Sequence, residues 1–79
     1  AMAREILRAR REGGESARFL LEVAAAGDHF TSTLARLNAA GEPEAAAIAP
    51  RFYGVTAEQA RRRMIQVLEQ DYDEVTPEV

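Results

Sequence analysis

Residues Asp28 to Ser32 collect side chains that hydrolases use for catalysis. His29 is the only histidine, Asp28 precedes it, and Thr31 and Ser32 follow within three positions. The members of a catalytic triad normally converge from different structural elements around a substrate. Close sequence neighbours rarely reach that geometry, so we expect His29 to be solvated or structural.

A second cluster, "DYDE" at Asp71 to Glu74, offers carboxylates for a metal ion. A calcium loop also needs a third oxygen ligand, a glycine and a glutamate near the twelfth position, and all are missing here. The chain has no cysteine to ligate zinc. Gly13 and Gly14 stand alone, without the strand that precedes a phosphate loop. We therefore predict a protein that is not an enzyme and that binds neither metal nor cofactor.

The stretch "YGVTAEQARRRMIQVLEQ", residues 53–70, predicts a capped amphipathic helix. Thr56 and Gln59 form a Thr-x-x-Gln capping box at its start. At about 100° per residue, one broad apolar sector forms; its members are Ala60, Met64, Ile65, Val67, Leu68 and Tyr72. Arg61 falls inside this sector, where it must extend its head to water or pair with a carboxylate.

This stretch resembles the helix-turn-helix segment of winged-helix repressors over residues 45–68. Gly54, Val55 and Thr56 match the family's turn, Ala60 and Arg61 match a small residue followed by arginine, and Met64 and Val67 match two core positions. The preceding "AAAIAPRF" corresponds to the first helix of the pair. The resemblance implies that the last helix enters the DNA major groove, with contacts from Gln59, Arg61 and Arg62.

Periodicity and turn residues predict helices along the rest of the chain as well. They run from Ala3 to about Glu12, from Ser16 to Gly27, from Thr31 to Gly41, and from Pro43 to Pro50. We therefore predict an all-α fold, a bundle of four or five short helices whose last two resemble a helix-turn-helix. Its predicted core consists of Leu20, Val23, Leu34, Leu37, Ile48, Met64, Val67 and Leu68.

The 79 residues fit one domain, predicted over 1–70, with an acidic and flexible tail at 71–79. Ala1 before Met2 is typical of a cleaved expression tag, so we expect a complete small protein. The sequence contains no apolar run long enough to cross a membrane, and it lacks a signal peptide. A soluble, cytoplasmic protein is expected, with no membrane partner.

The charge distribution favours association with protein over DNA. Net charge is −3 and the isoelectric point is about 5.1, whereas DNA-binding domains usually present a strongly basic face. The predicted function is a helical interaction or accessory module that binds itself or a larger protein. A helix-turn-helix regulator of transcription is the alternative. The predicted partner interface consists of Ile65, Tyr53, Tyr72, Arg4, Arg8 and Arg11.

Overall fold

The fold is a five-stranded antiparallel sheet with one helix, which makes the all-α prediction wrong. A computed structural model describes residues 2–46 and 49–78. Along the sequence the elements are β1 (Met2–Arg10), β2 (Ser16–Ala26), β3 (His29–Arg36), β4 (Arg51–Gly54), α1 (Ala57–Asp71) and β5 (Glu74–Pro77). The strand order in the sheet is β4-β3-β2-β1-β5. Because the fold is mainly a sheet, the predicted function as a helical interaction module is wrong as well.

The first hairpin joins β1 and β2, and its register runs from Met2 opposite Ala24 to Arg10 opposite Ser16. Its turn contains Gly13, whose φ of 68° is easily adopted only by glycine. The amide of Gly14 donates to the carbonyl of Arg11, which closes the turn. Gly13 and Gly14, which directly follow the helix predicted from Ala3 to about Glu12, therefore lie in the turn between two strands.

The second hairpin joins β2 and β3 through Gly27 and Asp28. Gly27 has a φ of 68°, and a glycine in the first position of a two-residue loop is the preference of a type II′ turn. The twist of such a turn matches that of the flanking strands. Gly27 was predicted as a helix C-terminal residue, and the same positive φ serves the hairpin.

The chain between β3 and β4 begins with a tight loop. Leu37 pairs with Pro43 across this loop, and the amide of Glu44 donates to the carbonyl of Arg36. β4 then pairs with β3 from Phe30 opposite Gly54 to Thr33 opposite Arg51. Ala45, Ala46 and Pro50 are not helical, which contradicts the helix predicted from Pro43 to Pro50. The predicted core residue Ile48 lies outside the described residues.

The helix predicted from residues 56–70 is confirmed as α1. The hydroxyl of Thr56 accepts from the amide of Gln59 at 3.0 Å, as the capping box requires. The side-chain oxygen of Gln59 reaches back and accepts from the amide of Val55 at 2.6 Å, one residue before the Thr56 amide that donates in a capping box. Gly54 to Thr56 joins a strand to this helix, so the helix-turn-helix arrangement is wrong, and the regulator of transcription derived from it is not supported.

The core lies between α1 and one face of the sheet. Alternation along the strands turns the odd-numbered residues of β1 and β2 toward the helix. The core cluster contains Leu7, Ala9, Ala17, Phe19, Leu21, Met64, Ile65, Leu68 and Tyr72. Of the predicted core, Val23, Leu37, Met64 and Leu68 are buried, Leu34 and Val67 are half-buried, and Leu20 points away from the helix.

Arg61 pairs with carboxylates inside the fold, which is the second of the two arrangements expected for it. Its Nε donates to Glu5 Oε2 at 2.6 Å, and Nη1 donates to Glu58 at 3.1 Å. The hydrogen bonds to Glu5 raise the pKa of Arg61 above its ordinary value. This guanidinium therefore ties α1 to β1.

The acidic end of the chain belongs to the sheet. Glu74 to Pro77 form β5, which pairs with β1 from Leu7 opposite Pro77 to Arg10 opposite Glu74. Asp73 accepts from the amide of Glu12 at 2.6 Å. The segment predicted as an acidic tail, residues 71–79, therefore contains the edge strand β5.

Candidate functional site

One face of the sheet has no helix on it, and we call it the open face. Because successive side chains alternate between the two faces, its composition follows from the strand register. Its members are Arg4, Ile6, Arg8 and Arg10 of β1, Ser16, Arg18, Leu20, Glu22, Ala24 and Ala26 of β2, His29, Thr31, Thr33 and Ala35 of β3, Arg51 and Tyr53 of β4, and Glu74 and Thr76 of β5. It is the only sheet face that the described residues leave available to a ligand or partner.

An apolar row crosses the centre of the open face at right angles to the strands. Ile6 lies opposite Leu20, and Leu20 lies opposite Ala35. All three side chains are half-buried, although no helix lies on this side. The row therefore presents apolar surface that a partner can remove from water, at about 25 cal/mol per Å².

Ion pairs border the apolar row on both sides. On one side, Arg4 Nε lies 3.2 Å from Glu22 Oε2. On the other, Arg18 donates from Nε and Nη2 to Glu78 Oε2, at 3.1 and 2.8 Å. Arg8 also approaches Glu78, at 3.5 Å. The border contains both signs of charge, as partner surfaces often do.

Ile6 and Leu20 of the apolar row form the floor of a groove of about 790 Å³. Arg4 and Arg18 stand beside this floor, and the loop after β3 forms a wall through Leu37, Gly41 and Pro43. Asn38 shapes that loop, because its Oδ1 accepts from the amides of Ala40 and Glu42 at 2.9 and 3.0 Å. The groove is concave, with apolar and charged lining.

The outer edge of β4 is partly closed by side chains of α1. Arg63 Nη1 donates to the carbonyl of Tyr53 at 2.6 Å, and Gln59 Oε1 accepts from the amide of Val55 at 2.6 Å. The opposite edge strand, β5, has four residues and ends at Pro77. Short strands, proline and covering side chains all discourage pairing with another strand. The open face is thus better suited to association than either outer strand.

The predicted interface residues separate into three places. Tyr53, Arg4 and Arg8 lie on the open face. Ile65 and Tyr72 belong to the core between α1 and the sheet, with 6% and 9% of their surface exposed. These two are not available to a partner while the domain is folded.

Arg11 lies in the first hairpin turn. Its Nε donates to the carbonyl of Asp71 at 2.8 Å, Nη1 pairs with Glu15 at 2.7 Å, and the guanidinium stacks 4.8 Å from the ring centre of Tyr72. Arg11 thus links the turn to the end of α1.

Two of the three residues proposed for DNA contact already make hydrogen bonds within the fold. Gln59 caps α1, Arg61 is paired with Glu5, and Arg62 is exposed. Among the three, only Arg62 has an exposed side chain that makes no hydrogen bond or ion pair with the described part of the chain.

The residues considered for catalysis do not converge. His29 Nδ1 lies 3.2 Å from Asp28, and this contact lowers the pKa of Asp28. Ser32 is fully buried on the helix side of the sheet, where its hydroxyl donates to the carbonyl of Ala60 at 2.7 Å. His29 and Thr31 point to the other side. Within residues 2–46 and 49–78, no group of three potential metal ligands is found.

Comparison of the chain with protein-family models, with curated proteins and with solved structures gave no match. Its only helix in the described ranges, α1, is too short and too polar to cross a membrane.

The sequence analysis missed most of this surface, including Ile6, Arg18, Leu20 and Glu22. The signal that identifies them is a spacing of two, with arginine, leucine and glutamate at 18, 20 and 22. Leu21 and Val23 interleave with this series and make the segment look continuously apolar. Such a run is ambiguous between helix and strand.

Glu78 provides a direct test of the charged border. Hydrogen bonds from Arg18, strengthened by the charges of Arg18 and Arg8, hold the pKa of Glu78 below its ordinary value of 4.5. The pair therefore stabilises the fold above pH 4.5, and this contribution is lost as pH falls through the lowered pKa. We expect Arg18→Gln to raise the pKa of Glu78 in a carboxyl NMR titration. Arg62→Gln is the control, and an equal shift there would contradict the pairing.

Proposed function

We propose that this protein is a non-catalytic binding module that pairs with a second copy of itself through the open face. The observation that carries the proposal is the apolar row of Ile6, Leu20 and Ala35, half-exposed between two charged borders. An isolated domain gains nothing from presenting that row to water, whereas a two-fold pair buries it twice.

The size of the face supports a second copy as the occupant. With strands about 4.8 Å apart and a rise of about 3.3 Å per residue, the strands present roughly 600 Å². Two copies would bury about 1,200 Å² in total, the lower end of the range for specific interfaces. Because a domain of 79 residues is only marginally stable on its own, the added burial would also stabilise the fold.

The charges of the face also suit self-pairing. Arginine and glutamate alternate in the two borders, at Arg4 and Glu22 and at Arg18 and Glu78. A surface with both signs can complement itself, whereas a purely basic one requires an acidic partner. A cytoplasmic location is part of the proposal and rests on the sequence alone. Binding to a larger protein through the same face is the alternative.

The test is the mass in solution, measured by sedimentation equilibrium across a range of concentrations. We expect the wild type to approach twice its chain mass of 8.7 kDa. Leu20→Glu should place two carboxylates in the apolar row of the pair and weaken association at least about 100-fold. Val55→Glu is the matched control, because Val55 is 75% exposed and lies beyond the paired residues of β4, away from the apolar row.

Circular dichroism must show that Leu20→Glu is folded, so that loss of mass reports on association. A wild type that stays monomeric at every concentration would contradict the proposal. So would a folded Leu20→Glu that associates as tightly as Val55→Glu.

A further inference from the structure

Two different two-fold axes can relate the copies of the proposed pair, and the charges of β2 distinguish between them. Arg18, Leu20 and Glu22 follow one another on the open face of this central strand. An axis parallel to the strand would bring Arg18 against Arg18 and Glu22 against Glu22. An axis along the apolar row would bring each Arg18 against the Glu22 of the other copy.

We propose that the two copies are related by the axis along the apolar row, so that Arg18 of each copy pairs with Glu22 of the other. This inference rests on the proposed function. Sheets packed face to face keep their strands within about 30° of parallel or antiparallel alignment, so β2 of one copy lies over β2 of the other. Leu20 then lies near the axis and meets its own counterpart.

The unused hydrogen-bonding atoms fit this arrangement. Arg18 directs Nε and Nη2 at Glu78, which leaves Nη1 without a hydrogen bond in the described part of the protein. Glu22 meets Arg4 through Oε2, and Oε1 has no partner among the same residues. A donor and an acceptor of opposite charge are thus available, and both side chains are partly exposed.

Docking would join two ion pairs into one network. Glu78 and Arg18 of one copy would meet Glu22 and Arg4 of the other, which gives four charges of alternating sign. The network would occur twice, once on each side of the axis. Such networks stabilise an interface more than isolated surface pairs do.

The wall of the groove agrees with the same axis. The loop that contains Gly41 and Pro43 lies at the Arg18 end of the open face, close to Leu37. With the axis along the apolar row, the two loops lie at opposite ends of the interface. With the axis parallel to the strands, both loops would lie at the same end of the strands, on opposite flanks of β2.

A charge exchange between copies tests the arrangement. We expect Arg18→Glu alone and Glu22→Arg alone each to weaken self-association at least about tenfold, because like charges then meet at both contacts. An equimolar mixture should form mixed pairs in preference to either self-pair. Native mass spectrometry of the mixture measures the three populations, with one variant labelled by ¹⁵N.

The matched control is Arg62→Glu mixed with Glu69→Arg, which makes the same charge changes on the exposed side of α1. We expect no preference for mixed pairs there. If Arg18→Glu fails to fold, Arg18→Gln mixed with Glu22→Gln retains one cross-copy contact only in the mixed pair. A smaller preference for mixed pairs is then expected.

The outcomes separate this inference from the proposed function. Preference for mixed pairs in the exchange but not in the control supports the axis. Pairs that form normally, with no preference in either mixture, overturn the axis while the proposed function stands. A wild type that is monomeric at every concentration overturns both.

Discussion

Gly54→Ala is expected to destabilise the protein by about 3 kcal/mol, the upper end of the usual cost of overpacking a core. Gly54 is buried at the end of β4, where α1 crosses it. A Cβ at this position would lie 2.5 Å from the amide nitrogen of Ala60 and 3.0 Å from its Cα. These are backbone atoms, so relief requires the helix to move away from the sheet.

Urea unfolding, followed by circular dichroism, measures the effect. The control is Gly14→Ala in the exposed first turn, where the nearest atom to a new Cβ is Arg11 Cβ at 3.4 Å. Its free energy of unfolding should change by less than about 0.5 kcal/mol. Equal shifts for the two variants would contradict the close approach of β4 and α1.

Ile65→Glu is expected to unfold the protein, with a loss of more than about 4 kcal/mol. Ile65 is 6% exposed and packs between α1 and the sheet. The change removes about 1.5–3 kcal/mol of apolar burial and places a carboxylate inside a cluster of buried hydrophobic side chains. Small domains rarely have more stability than that to lose.

The neighbouring exposed residue provides the control, since Gln66→Glu adds the same charge to the outer side of α1. It should keep the wild-type circular dichroism spectrum and unfolding midpoint. The sequence alone suggested that Ile65→Glu would separate two folded molecules. A folded and monomeric Ile65→Glu would restore that interpretation and contradict the position of Ile65 in the core.

The helix was predictable because its signals are local. Thr56 and Gln59 define its start, and the apolar sector from Ala60 to Leu68 follows a period of 3.6 over about two and a half turns. The ion pair of Arg61 was one of the two arrangements expected from the cost of burying a free charge. Each of these arguments requires only residues within one element.

The strands were missed because their composition favours a helix. β1 reads "MAREILRAR", and alanine, leucine and arginine have high helix propensity. Its alternation is visible only if Ile6 is assigned to the same face as Arg4 and Arg8. Pairing with β2 outweighs the local preference, as tertiary context often does.

One local signal for the sheet was present in the chain. Gly27 and Asp28 separate two segments of strand length, and Gly-Asp is a hairpin loop sequence. If Gly27-Asp28 is interpreted as a hairpin loop, the register of β2 against β3 follows. That register places Leu20 opposite Ala35 in the apolar row. The pairing of β5 with β1 had no such signal, because it joins the two ends of the chain.

The measurement that tests the central claim most directly is an isotope-filtered NOE experiment on an equal mixture of ¹³C-labelled and unlabelled protein. Such an experiment detects contacts between copies only. If the copies pair through the open face, we expect NOEs from the methyl groups of Ile6 and Leu20 to the other copy. We expect none from Met64, which lies in the core between α1 and the sheet. Intermolecular NOEs confined to other surfaces, or no intermolecular NOE at millimolar concentration, would contradict pairing through the open face.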